Sequence, residues 1–163
     1  MTRPIVWALG VFGVAALSAG QFVSNGPPGA VAPASVAGTG ERLLVIASDL
    51  RGHYIVHPTI GSARLRMLVD TGASFVALTA EDAGKAGIRP GPGDPVRTLS
   101  TANGVVVARA VRVREMSVGD IVVRDVEAVV MPPGSMGVSL LGMAFLRRLK
   151  GFEVSGGRLT LRG

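Results

Sequence analysis

Leu68-Val69-Asp70-Thr71-Gly72-Ala73-Ser74 runs an apolar stretch straight into an acid, a hydroxyl residue and a glycine, and Phe75-Val76-Ala77-Leu78-Thr79 resumes the apolar pattern at once. A carboxylate at the mouth of an apolar strand loses hydration and needs hydrogen-bond donors close by. Gly72 allows a tight turn at that point, and Thr71 adds a hydroxyl. Taken alone, Asp-Thr-Gly describes an Asx turn or a cap, the ordinary setting of such a triplet. Its flanks give it weight, since a strand leads in and a second strand and a short helix lead out.

Outward from this stretch, residues 41–163 form a domain of 123 residues whose apolar positions come in short runs rich in Val and Leu, broken by Gly, Pro and Asp. Residues 43–47, 53–60, 63–69, 75–79, 105–113 and 121–131 read as strands, with Gly61-Ser62 and Gly156-Gly157 as hairpin turns. Helical character is confined to residues 80–86, with Thr79 as N-cap and Glu81 and Asp82 in the first turn, and to residues 143–150. The expected class is therefore all-β with short helices.

Residues 5–23 carry no charge and only Ser18 and Gln21 as polar side chains. As a helix of about 1.5 Å per residue they would reach roughly 28 Å, close to a bilayer core. Arg3 precedes them and the next charge is Glu41, so the positive-inside rule keeps Arg3 in the cytoplasm and places the remaining chain across the membrane. Residues 1–23 are expected to be a membrane anchor, with a cleaved signal segment as the alternative offered by Ala16, Ser18, Ala19 and Gly20. Residues 24–40, uncharged and rich in Gly, Pro and Ala, read as a flexible linker. The expected location is the bacterial inner membrane, single-pass, with the domain in the periplasm.

Composition removes several function classes. The chain has no Cys, which excludes disulfide scaffolds, thiolate metal sites and thiol nucleophiles and leaves the redox compartment open. Seventeen Lys and Arg against eleven Asp and Glu give a net charge of +6, but the cations are scattered and aromatics are only 4%, so a nucleic-acid surface is not expected. His53 and His57 are the only histidines and lie too far apart along a strand to share a metal, so no metal or cofactor is expected. Ser135 lacks the surroundings of a serine nucleophile, no Gly-rich loop precedes a Lys-Ser or Lys-Thr pair, and Met116, Met131, Met136 and Met143 read as core filler.

Two more segments fall in a telling order. Ser139-Leu140-Leu141-Gly142-Met143-Ala144-Phe145-Leu146 follows the Asp-Thr-Gly by about seventy residues, and Ser100-Thr101-Ala102-Asn103-Gly104 lies between them, after a short strand. Together the three segments resemble the catalytic loop, the second motif and the flap hairpin of the retropepsin-like aspartic proteases, most closely the bacterial single-domain, membrane-tethered members. The resemblance covers residues 41–163 and implies a single-lobe closed β-barrel that works as a homodimer on peptide or protein substrates. It implies that Asp70 is the catalytic carboxylate, that Thr71 and Gly72 support its loop, and that Ala102, Asn103 and Gly104 form a flap over the substrate. It also implies that Ser139 to Leu141 cross behind the loop and lead into a helix. The viral arginine after the second-motif glycine is replaced by Met143, and the acidic continuation of the viral loop by Ser74 and Phe75.

Hydrolysis of an amide without a metal or covalent nucleophile needs one group to activate water and another to protonate the departing amine, roles that two adjacent carboxylates sharing a proton can fill. One Asp-Thr-Gly per chain leaves the second carboxylate to another copy, and a twofold axis would supply it. A protease-like module that binds peptides or dimerises without cleaving them is the competing reading. A more distant one is a periplasmic β-barrel binding module.

Overall fold

The computed structural model describes residues 40–101 and 104–163. The expected anchor, the linker up to residue 39, and the flap residues Ala102 and Asn103 lie outside the described residues. Among the described residues no helix is long and apolar enough to cross a membrane.

Twelve strands and two short helices follow one another: β1 (Leu43–Ala47), β2 (Ile55–Val56), β3 (Thr59–Ile60), β4 (Ala63–Arg64), β5 (Met67–Val69), β6 (Val76–Leu78), α1 (Ala80–Lys85), β7 (Val96–Thr101), β8 (Gly104–Val118), β9 (Ile121–Val130), β10 (Ser139–Leu141), α2 (Met143–Leu146), β11 (Gly151–Ser155) and β12 (Arg158–Arg162). The class is all-β, as the runs of Val and Leu predict. The barrel is not closed, however. The large sheet runs β2-β5-β10-β6-β9-β8-β3-β4, with β7 added on β8, and among the described residues no ladder joins β2 to β4, so it is a curled half-barrel. A separate three-stranded sheet, β1-β12-β11, joins the two ends of the domain.

Several strands depart from their expected lengths for visible reasons. The run 53–60 breaks at Pro58, which has no N–H for a ladder and whose carbonyl instead accepts from Leu65 N at 2.9 Å. The run 63–69 divides because β4 pairs with β3 whereas β5 leaves to pair with β2 and β10. The strand expected at 105–113 extends to Val118, since Val113, Met116 and Val118 keep facing inward past the charged Arg114 and Glu115. The second helix is a single turn, and by Lys150 the backbone already donates to Arg162 O at 3.0 Å to begin the C-terminal hairpin. Both expected hairpin turns occur, with Gly61, Gly156 and Gly157 at positive φ.

The main core is aliphatic, built on Leu65, Met67, Leu78, Met116, Ile121, Leu141, Phe145 and Leu161. A second, smaller cluster of Ala77, Ala108, Val129 and Met131, flanked by Phe75, Leu99, Val106, Met136 and Leu140, lies apart from it. Its flanking side chains stay half-buried.

Candidate active site

β5 ends at Val69, and the chain turns through residues 70–75 into β6. The space between those strands is filled by β10, which runs parallel to β5 (Leu141 opposite Val69) and antiparallel to β6 (Leu140 opposite Ala77). Asp70 N donates to Leu141 O at 3.1 Å, which ties the acid to the strand behind it. From the other side the first turn of α2 reaches back into the loop: Met143 N donates to Ala73 O at 2.8 Å and Ala144 N to Ser74 O at 2.9 Å. The loop is thus held through its backbone from both sides. This is the strand-crossing expected of Ser139 to Leu141.

Asp70 is half-buried, and its Oδ1 accepts from Gly72 N at 2.8 Å. Gly72 is not at positive φ. Its smallness matters instead, because a Cβ there would stand 3.2 Å from that same Oδ1. Thr71 is exposed beside it. Gly104 opens β8 at φ +109, opposite Thr101, whose hydroxyl donates to Gly104 O at 2.8 Å. Asp70 and Gly72 stand with Thr98, Leu99, Ser100 and Thr101 of β7 around a cleft of about 650 Å³. The structure therefore brings the acid-bearing loop and the β7–β8 hairpin to one cavity.

Apolar side chains of the second cluster, Phe75, Ala77, Leu99, Met131, Met136 and Leu140, furnish the walls of the cleft. Met116 and Met131 are buried core as read, Met131 also walling the cleft, whereas Met136 corrects the sequence reading, being half-buried at the cleft wall. No local signal separates such residues from core. Ser135 also lines the cleft, and its hydroxyl is engaged by Pro132 O at 2.7 Å.

The remaining described acids have other duties. Asp49 accepts from the backbone of His53 and Arg51, each at 2.8 Å, and the His53 bond above all holds its carboxyl below the usual value. Asp94 accepts from Gly91 N at 2.6 Å, Asp120 stands in the β8–β9 turn and Asp125 lies within β9 at φ 53. Asp82, in the first turn of α1, is largely buried. Its side chain is 17% exposed and accepts from Ser139 Oγ at 2.6 Å, while Ser139, fully buried, accepts from Thr79 N at 3.0 Å. That network fixes the start of β10 against α1 and so supports the strand on which Asp70 leans. Among the described residues no group of three His, Asp or Glu could hold a metal ion.

A carboxylate on a backbone-braced turn thus stands at an apolar cleft that the β7–β8 hairpin also lines. The chain belongs to the retropepsin-like aspartic proteases: the model of the family described as gag-polyprotein putative aspartyl protease matches residues 56–148. The crystal structure of a retropepsin-like aspartic protease from Rickettsia conorii superposes with a TM-score of 0.66 at 32% identity, covering 75% of this chain and 91% of that one. The "Uncharacterized protein in cobV 5'region" of Sinorhizobium sp is 40% identical over 123 residues, which are 76% of this chain and 53% of that protein. An uncharacterized protein of Rickettsia prowazekii (strain Madrid E) is 34% identical over 118 residues, 72% of this chain and 50% of that protein. The chain thus spans about half the length of these curated relatives.

Proposed function

We propose that the protein is an aspartic endopeptidase that works as a homodimer, each chain supplying Asp70 to a shared dyad. One observation carries the reading: each chain presents a single braced Asp70 at the cleft, and every other described Asp is committed elsewhere or stands in a turn or strand away from it. A lone carboxylate can serve as base or as acid, but amide hydrolysis needs both at once. An isologous contact about a twofold axis sets residue 70 of one copy against residue 70 of the other. One carboxylate then removes a proton from the attacking water while the protonated one delivers its proton to the amide. The exposed Thr71 side chains are available to bond the two loops together. Peptide would lie extended in the cleft, with Ala102, Asn103 and Gly104 closing over it.

Titration of the full chain with a statine-type transition-state mimic tests the dyad. The expected stoichiometry is one inhibitor per two chains, because one statine hydroxyl sits between two carboxylates. One inhibitor per chain, or none, rejects a shared dyad and favours the binding-module reading. We further propose that residues 1–23 tether the domain to the inner membrane, with residues 24–40 as spacer and the protease in the periplasm, on the strength of the uncharged 5–23 span and Arg3. Protease added to intact spheroplasts should digest the domain. Digestion only after lysis contradicts this orientation.

A further inference from the structure

The two faces of β7 differ. Val96, opposite Arg109, and Val105 and Val107 of β8 lie on the outer face and are exposed. Arg97 and Leu99 lie on the inner face, opposite Ala108 and Val106, and Leu99, Val106 and Ala108 all pack in the cluster that walls the cleft. Arg97 therefore continues the inner face of the roof one step beyond Leu99. Its guanidinium carbon stands 5.2 Å from the centroid of the Phe75 ring, which lines the cleft below. This contact joins the base of the hairpin to the far end of the Asp70 loop.

A cation over an aromatic face gains electrostatic attraction and loses side-chain freedom, so part of the ordering cost of binding is met before a ligand arrives. Arg109, Arg124 and Arg162 donate to carbonyls or carboxylates of the chain. Arg97 donates to no acceptor among the described residues; it is exposed in a hollow that adjoins the cleft at Phe75 and is shared with Asp94, Arg112 and Glu127, where Glu127 is paired with Arg112 at 3.7 Å and Asp94 accepts from Gly91 N. Guanidinium groups in that state bind carboxylates best, often through two parallel bonds.

We propose that Arg97, held over Phe75, selects a carboxylate side chain of the substrate placed two residues outward from an apolar side chain seated beside Leu99. This rests on the endopeptidase reading and names a substrate class for the same cleft, peptides with an apolar-x-acidic pattern. The spacing follows from strand geometry: Leu99 and Arg97 are two residues apart on one face, about 6.7 Å, and same-face side chains of an extended peptide repeat at the same interval. The apolar seat is formed by Leu99, Met136 and Leu140. The excess of basic over acidic residues, all of it but Arg3 within residues 41–163, would draw acidic segments toward the domain in the same sense.

The test uses the purified full chain and a peptide series carrying Leu-x-Glu, its Gln and Lys twins, and versions with Glu moved by one residue. Wild type should cleave the Glu twin with kcat/KM about fivefold above the Gln twin, the scale of a partly exposed, charge-assisted contact. The preference should shrink with added salt. Moving Glu by one residue turns it to the other face and should cancel the preference. Arg97→Gln should cleave the Glu and Gln twins alike, and Arg97→Glu should favour the Lys twin. Equal cleavage of the Glu and Gln twins by wild type, or a preference that survives in Arg97→Gln, overturns the proposal. If no peptide is cleaved, the endopeptidase reading fails. Affinities of the same twins for Asp70→Asn chains then decide the role of Arg97 alone: stronger binding of Glu upholds it and equal binding refutes it. Wild-type data suffice if the Arg97 variants do not fold.

Discussion

Asp70→Asn chains should fold as wild type and cleave peptides about 10²–10⁴-fold more slowly, the usual contribution of a positioned acid–base group. The change is nearly isosteric, and an Asn oxygen can still accept from Gly72 N as Asp70 Oδ1 does at 2.8 Å. The side chain is only half-buried, so the melting temperature should hardly move. An amide cannot share a proton with a carboxylate as a second carboxylate does, so a dimer with one altered chain should be inactive too. Adding excess Asp70→Asn chains to wild type under conditions of subunit exchange should therefore suppress wild-type activity. Dilution below the dimer dissociation constant should lower specific activity for the same reason. An Asp70→Asn protein that still cleaves, or specific activity that stays constant at every dilution, would exclude the shared dyad.

Gly142→Ala should unfold the site altogether. A Cβ at this position meets Ala73 O at 2.6 Å and the Phe75 carbonyl closer still, and both obstacles are backbone. Neither can rotate away as a side-chain tip would. Relief requires the 73–75 segment to retreat from α2, breaking the bonds from Met143 N to Ala73 O and Ala144 N to Ser74 O that fix the Asp70 loop. A loss of at least about 3 kcal/mol is expected, as for severe overpacking with lost buried hydrogen bonds. In a domain of this size that lowers the melting temperature by about 10 °C. Gly84→Ala is the control: it lies in α1 with nothing within 4 Å of the added carbon and should stabilise by about 0.5–1 kcal/mol. Wild-type melting and activity in Gly142→Ala would mean that the close approach of loop and helix is not essential.

Much of this architecture is legible in the chain because its signals are local. Thr79 caps α1 as its hydroxyl and position suggest, accepting from Asp82 N at 3.1 Å, and the β3–β4 and β11–β12 turns fall on their glycines. The order of Asp70-Thr71-Gly72, hairpin and Leu-Leu-Gly is likewise enough to place a braced acid in a cleft. Features that depend on distant partners are not legible. Nothing near Asp82 announces that Ser139, 57 residues away, will bury it. Nothing in Met131 or Met136 distinguishes a cleft wall from a core, since both surfaces are apolar and only sheet curvature decides between them. The need for Gly142 is equally silent, because it arises where two segments some seventy residues apart touch. The open path of the sheet also escapes local reading, since closure depends on whether its two end strands find each other.

The insertion of β10 between β5 and β6 bears on the order of synthesis as well as on geometry. When the ribosome has produced Asp70 and all of β6, the slot that will hold Leu140 and Leu141 is still empty, and the acid has neither Leu141 O behind it nor α2 beneath its loop. Some sixty further residues must be made before that slot is filled. An incompletely made chain carries its acid in an unformed turn, because the topology ties the setting of Asp70 to arrival of the C-terminal quarter of the domain.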